Sequence, residues 1–345
     1  MTNRKTGLTL GKFAPFHRGH QLVVEMAIAE MDEVIVVIYD CPETTDIPLT
    51  VRAGWIRALY PAAEVIEAWD GPVEIGDTPE IKRMHEDYIR GLLGGRRVTH
   101  FYSSEFYGDH MSRALGAVNR MVDSKRERVP VSGTAVRRDP FANRAFVHSI
   151  VYRDLITSVV FLGAPSTGKT TIAARLAESF QTVWMPEYGR EYWEKHQVDR
   201  RLSAEQLAEL AEGHVEREER MLQEGRDYLF VDTNAITTFM FSLDYHGMAV
   251  PRLTELAGQA ASRYDLVFVC MDDIPYDDTW DRSGEMHRGM FQKRIIADLT
   301  VRKIPFIALS GNVEERERKV KAVLKAYRKY RSIGNLWSDQ LEGTE

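Results

Sequence analysis

The chain has 345 residues, 44% of them hydrophobic and 28% charged, with a net charge of −6 and two cysteines. That is enough for two domains that each bury a core; the acidic balance lacks the footprint of a nucleic-acid binder, and no apolar run approaches a membrane span or a secretory signal. Cys41 and Cys270 offer neither a disulfide framework nor a Cys-x-x-Cys metal site, so a cytoplasmic protein with no nucleic-acid or membrane partner is expected.

Residues 8–10 read as an opening strand that runs into Gly11-Lys12-Phe13-Ala14-Pro15-Phe16-His17-Arg18-Gly19-His20. Helical periodicity follows over 21–31 and a nearly all-apolar strand over 34–39. Strand, loop, helix and strand make a right-handed βαβ unit with the loop at the carboxyl end of the sheet. His17 and His20 lie three residues apart on one face at the helix start, where imidazoles and helix N–H groups jointly receive a phosphate chain. Lys12 and Arg18 are further candidate cations. Helices are expected over 49–60 and 79–93, and a strand over 98–103. Trp55 and Trp69 admit two readings, stacking on a flat ring or plain packing. A charged loop over 123–130 leads into Val131-Ser132-Gly133-Thr134-Ala135-Val136-Arg137. Residues 140–154 connect to the second half, and part of them is expected to pack on the first.

The second half opens on a short apolar strand over 158–162, then Gly163-Ala164-Pro165-Ser166-Thr167-Gly168-Lys169-Thr170, which fits G-x-x-x-x-G-K-[ST], with a helix from Thr171. Gly163 and Gly168 let the backbone N–H groups of the loop, Ser166 and Thr167 included, curl round an anion. Lys169 bridges the β- and γ-phosphates and the Thr170 hydroxyl ligates Mg²⁺. A strand over 182–185 leads to Glu187, whose carboxylate accepts a proton from a ribose hydroxyl or fixes its neighbours, or else pairs with Arg190. After a long helix over 202–223, the strand over 227–232 ends in Asp232, a Walker B carboxylate for Mg²⁺ or a cap for the next helix. Beyond a strand over 265–271, Asp272, Asp273, Asp277, Asp278, Asp281, Arg282 and Arg288 crowd a segment poor in apolar residues. A mobile lid that closes Arg282 and Arg288 over the transferring phosphoryl group is expected there, with a solvated loop as the alternative. A strand over 304–309 and a helix over 313–330 complete the half.

G-x-F-x-P-x-H-x-G-H at 11–20 and V-S-G-T-A-V-R at 131–137 resemble the two signatures of the nucleotidylyltransferase superfamily, which transfers a nucleotidyl group from an NTP without a covalent intermediate. The resemblance implies that Gly11, Lys12 and Phe13 belong to the nucleotide loop, that His17 and His20 hold the α- and β-phosphate region, and that Ser132, Thr134 and Arg137 hold the pyrophosphate end. The second half resembles the P-loop nucleoside kinases. With Glu187-Tyr188-Gly189-Arg190-Glu191 and Val231-Asp232-Thr233-Asn234, nearly the whole chain is similar to the bifunctional NadR family, which joins a nicotinamide-nucleotide adenylyltransferase to a ribosylnicotinamide kinase. This implies an α/β protein of two doubly wound parallel-sheet domains, a Rossmann-like nucleotidylyltransferase over 1–152 and a P-loop kinase over 153–345. It also implies ATP as co-substrate with Mg²⁺, and nicotinamide riboside, nicotinamide mononucleotide and NAD as small-molecule partners. Some members carry an N-terminal helix-turn-helix; here the first signature begins at Gly11 and leaves no room for it, so no sequence-specific DNA binding is expected. A kinase whose first domain only senses nucleotide is the alternative, and intact His17, His20, Ser132 and Arg137 count against it. Self-association is left open.

Overall fold

In a computed structural model, residues 4–74, 76–105, 107–198, 201–276 and 285–331 are described. They divide into two compact units, one running to Tyr152 and also holding Tyr330 and Arg331, the other Arg153–Lys329.

The first unit holds β1 (Thr6–Gly11), α1 (Arg18–Glu30), β2 (Glu33–Tyr39), α2 (Leu49–Leu59), β3 (Glu64–Ala68), α3 (Pro79–Leu93), β4 (His100–Ser103), α4 (Gly108–Leu115), β5 (Val118–Met121) and α5 (Gly133–Arg138), with α6 (Ser149–Leu155) at the division. Its five strands are all parallel, in the order β3-β2-β1-β4-β5. Val34–Ile38 is buried throughout, as an interior parallel strand with both faces covered must be. Helix starts follow local chemistry: the Thr78 hydroxyl accepts from Ile81 N–H ahead of Pro79, and Gly94 closes α3 in the left-handed conformation. Strand order reverses between β1 and β4, so the loop after β1 opens into the crevice where such sheets bind ligands.

The second unit holds β6 (Thr157–Leu162), α7 (Lys169–Phe180), β7 (Val183–Met185), α8 (Tyr188–His196), α9 (Ala204–Leu222), β8 (Tyr228–Asp232), α10 (Ala235–His246), α11 (Pro251–Gln259), β9 (Leu266–Cys270), α12 (Glu285–Val301), β10 (Ile307–Leu309) and α13 (Val313–Ala326). Again all five strands are parallel, ordered β10-β9-β6-β8-β7, with the switch point at β6. Val159, Phe161, Phe230 and Phe268 from the central strands pack with Ile172 and Leu176 of α7 and Val320 and Leu324 of α13. The loop after β6 is thereby mounted on the central strand of the sheet. Both sheets are the doubly wound parallel kind that the motifs predict.

Three differences from the sequence reading have local causes. The terminal helix stops at Ala326 rather than 330, because Tyr327 turns extended and Lys329 Nζ donates to the Arg153 and Ile156 carbonyls at 3.0 and 2.7 Å. Arg288 does not belong to a lid: it sits in α12 and is 4% exposed. Asp273 is no free lid acid, since its carboxylate accepts from Arg316 and from Gly311 N–H. Asp277, Asp278, Asp281 and Arg282 lie outside the described residues.

Candidate active sites

In the first unit the loop after β1 is built by backbone as much as by side chains. Phe13 takes a positive φ of 45°, Ala14-Pro15 is cis, and His17 is the N-cap of α1. His17 Nδ1 accepts from Gly19 N–H at 3.1 Å, and His20 Nδ1 accepts from His17 N–H at 3.4 Å, a capping box made of two imidazoles. The rings stack with centroids 3.7 Å apart. Burial, followed by the Arg126 charge, brings the His17 pKa down to about 4; burial and then His17 hold His20 well below the usual histidine range. Both rings are therefore neutral at pH 7. With Nδ1 of His17 occupied as an acceptor, its proton sits on Nε2, which makes the ring a hydrogen-bond donor and not a cation.

The second signature meets the first directly. Arg137 donates to the Ala14 carbonyl and, at 3.1 Å, to Thr134 Oγ1. Ser132 caps α5 by accepting from Ala135 N–H at 3.1 Å, and an added Cβ on Gly133 would stand 3.3 Å from the Ala14 oxygen, so only glycine allows this approach without displacement. Val147 of the connecting segment bridges to His17, as packing of that segment on the first half predicts. Lys12 is turned to Glu43 at 2.6 Å, and Arg18 to Gln21 and Glu25, so local partners hold both extra cations. Phe13 contributes packing, edge-on to His20 and Phe16, rather than a surface for nucleotide. Trp55 is core at 2% exposure, which removes it as a stacking platform; Trp69 is 57% exposed. Two contributors carry no motif. Arg126 lowers the His17 pKa from the charged loop before Ser132. The buried guanidinium of Arg52 donates to the carbonyls of Lys12, Tyr39 and Ile47 and so fixes the loops after β1 and β2.

In the second unit Gly163 has φ 140° and a Cβ there would stand 2.6 Å from the Cys270 carbonyl; Ser166 and Gly168 follow with positive φ of 61° and 81°. Successive turns of this kind have the backbone geometry of an anion nest. Thr167 Oγ1 and Lys169 Nζ both donate to the Ala164 carbonyl, at 2.8 and 2.9 Å, and Lys169 is 8% exposed. Thr170 Oγ1 donates to Asp232 Oδ2 at 2.6 Å. Asp232 is fully buried and its Oδ1 has no partner among the described residues; burial, then the Glu187 charge, raises its pKa to about 6 against the opposing pull of Lys169. Thr233 next to it has φ 67°, a strained value for a β-branched residue.

A cleft of ≈ 660 Å³ runs from the phosphate loop, Thr171 included, past Glu187, Arg190 and Thr233 to Trp193, Phe241 and Tyr245. Thr237, Phe241 and Tyr245 recur every four residues along one face of α10, so the polar end of the cleft, at Thr233 and Thr237, lies about two turns from the aromatic end at Tyr245. His214 of α9 lines it too, its ring bonded to the Thr233 backbone and its pKa lowered to about 4 by burial and by Arg263. Arg288 reaches the loop from behind, donating to the carbonyls of Ser166 and Ile274 at 3.3 and 3.0 Å. Among the described residues no cluster of three His, Cys, Asp or Glu side chains is placed to hold a metal unaided, and no helix is long and apolar enough to cross a membrane.

The comparisons divide along the same line. Residues 8–139 match a cytidylyltransferase-like family model and residues 158–316 an AAA domain model. The trifunctional NAD biosynthesis/regulator protein NadR of Escherichia coli K12 is 25% identical over 336 residues, 90% of this chain and 79% of its own. The NadR of Salmonella typhimurium LT2 is 26% identical over 334 residues, 88% of this chain and 78% of its own. A crystal structure of a NadR protein with NAD and AMP-PNP superposes with a TM-score of 0.54 at 21% identity, covering 94% of this chain and 96% of that one. A likeness of this extent, with a nucleotidyltransferase-like fold and a P-loop kinase-like fold in one chain, makes it a two-headed group-transfer enzyme that is similar to the NadR proteins over about 90% of its length.

Proposed function

We propose that the chain makes NAD in two steps. The second unit phosphorylates nicotinamide riboside with MgATP, and the first joins the mononucleotide to AMP with release of pyrophosphate. The observation that carries this reading is likeness through both halves at once to NadR proteins. Another NadR structure holds NR, at a TM-score of 0.54 and 22% identity. The cleft of the second unit supports it, since its aromatic end suits a flat pyridine and its polar end a ribose.

In the kinase step the riboside 5′-oxygen attacks the γ-phosphorus, the bond to the β-γ bridging oxygen breaks, and ADP leaves. Lys169 and the loop N–H groups stabilise the charge that builds on the phosphates. The donor set fits Mg²⁺: a threonine hydroxyl 2.6 Å from a buried carboxylate whose other oxygen has no partner among the described residues is hard-oxygen chemistry. When bound, the ion neutralises the β- and γ-phosphate oxygens. Thr170 and Asp232 would hold the ion, and Glu187, lining the cleft, takes the hydroxyl proton. In the adenylyl step the mononucleotide phosphate is already anionic and needs no base. Its oxygen attacks the α-phosphorus while the His17 Nε2–H, His20 and Arg137 hold the phosphates and Ser132 and Thr134 keep Arg137 placed.

Two substitutions test the reading. Lys169→Ala removes a preorganised charge and slows riboside phosphorylation on the order of 10²-fold or more, sparing adenylyl transfer. His20→Asn keeps an acceptor for His17 N–H but loses the ring, and does the reverse. Starting from riboside, only His20→Asn accumulates mononucleotide, and mixing the two variants restores NAD. A wild-type protein that prefers cytidine or uridine to nicotinamide riboside refutes the acceptor; one substitution that abolishes both half-reactions in folded protein refutes the two-site scheme.

A further inference from the structure

Three side chains from α12 and α13 grip the phosphate loop from behind. Gln292 accepts from Ala164 N–H at 2.7 Å, Arg288 donates to the Ser166 carbonyl at 3.3 Å, and Arg316 donates to the Thr167 carbonyl at 2.6 Å. Arg316 is the most committed of the three. It is 2% exposed, and it donates as well to the Gly311 carbonyl at 2.9 Å, to the Met271 carbonyl at 3.0 Å and to Asp273. One guanidinium thus joins the phosphate loop, the segment after β9 and the turn before α13.

As a stabilising device this is a poor choice. A buried charge with one carboxylate partner is often no better than an apolar residue of the same volume. Its geometry has a sharper use. The peptide between Thr167 and Gly168 is flanked by a glycine at φ 81°, and glycine tolerates both orientations of such a peptide. If the peptide flipped, the Thr167 carbonyl would point into the nest and repel phosphate, and the Gly168 N–H would be lost as a donor. We propose that Arg316 is a positioning residue for phosphoryl transfer: by holding the Thr167 carbonyl outward it keeps the Gly168 N–H aimed at the β-phosphate. The inference rests on the kinase reading of this loop.

The test uses the full chain, with ATP and riboside varied separately and with ADP and adenosine as inhibitors. Loss of a charge-assisted hydrogen bond in Arg316→Met is expected to raise KM for ATP and Ki for ADP about 10- to 100-fold. KM for riboside and Ki for adenosine stay within about threefold of wild type. Arg316→Lys, with one ammonium unable to reach the Thr167 and Gly311 carbonyls together, falls between. Unchanged constants for ATP and ADP overturn the proposal, and so does a uniform loss across all four, the mark of general loosening. If Arg316→Met does not fold, Arg316→Lys is judged by the same four constants. If wild type phosphorylates no riboside, it is the kinase reading that fails. Calorimetric ADP binding, identified as the loop's own by its loss in Lys169→Ala, then decides Arg316 by the same ratio.

Discussion

Asp232→Asn separates what the fold tolerates from what the chemistry needs. The wild-type carboxyl titrates near 6 in the folded protein against 3.8 as its ordinary value, so its ionisation opposes folding. A shift of about two units corresponds to roughly 3 kcal/mol once both states are ionised. The sign follows from the raised value: the unfolded chain loses its proton first as pH rises, and stability falls from the unfolded pKa upward until the folded pKa is passed. About half of that loss falls between pH 5 and 8. Asparagine does not titrate and its oxygen still accepts from Thr170. Any fixed cost of burying the amide is the same at every pH. Urea unfolding without magnesium or nucleotide should therefore show the variant gaining on the order of 1–2 kcal/mol on wild type between pH 5 and 8. Its kinase turnover falls on the order of 10²-fold or more. Parallel stability curves for the two proteins over that range would refute the assignment of a protonation cost to this carboxyl.

Because burial keeps His17 and His20 neutral, with His17 at about 4, adenylyl transfer should show no inflection from either ring between pH 5.5 and 8; a rate that climbs with an apparent pKa near 6.5 would mean that an imidazolium does the work. Gly163→Ala places a Cβ 2.6 Å from the Cys270 carbonyl at a φ of 140°, and is expected to cost about 2–3 kcal/mol in the second unit and most of its kinase activity, read by thermal unfolding and riboside phosphorylation.

The strand-loop-helix form of both glycine-bearing loops was legible because such turns demand glycines and a helix start in a fixed local order, and local order is what a sequence displays. Glu187 and Asp232 were legible as strand-end acids, while their electrostatics were not, since burial and mutual repulsion depend on the packed sheet. The expected lid misplaced Arg288, because acidic composition hid a helix beginning at Glu285. Arg316, Gln292 and His214 left no trace: Arg316 meets Thr167 across 149 positions, and nothing in the alternation of a terminal helix marks one arginine as inward-facing. The local partners of Lys12 and Arg18, namely Glu43, Gln21 and Glu25, were not legible either, since a sequence does not show which acid a surface cation meets.

The ammonium of Lys169, resting on the Ala164 carbonyl with little access to water, has one more consequence. Its hydration is stripped when the chain folds, so an arriving phosphate meets a cation already dry and trades a neutral oxygen for an anionic one. The penalty that usually cancels ion pairing in water is transferred from ligand binding to folding. Nucleotide therefore reinforces the second unit through linkage, and the lifetime of the protein against unfolding should track how often the loop is filled, lengthening with ATP supply and shortening when ATP runs low. Thermal unfolding followed across an ATP titration, with Lys169→Ala as the comparison, measures that dependence directly.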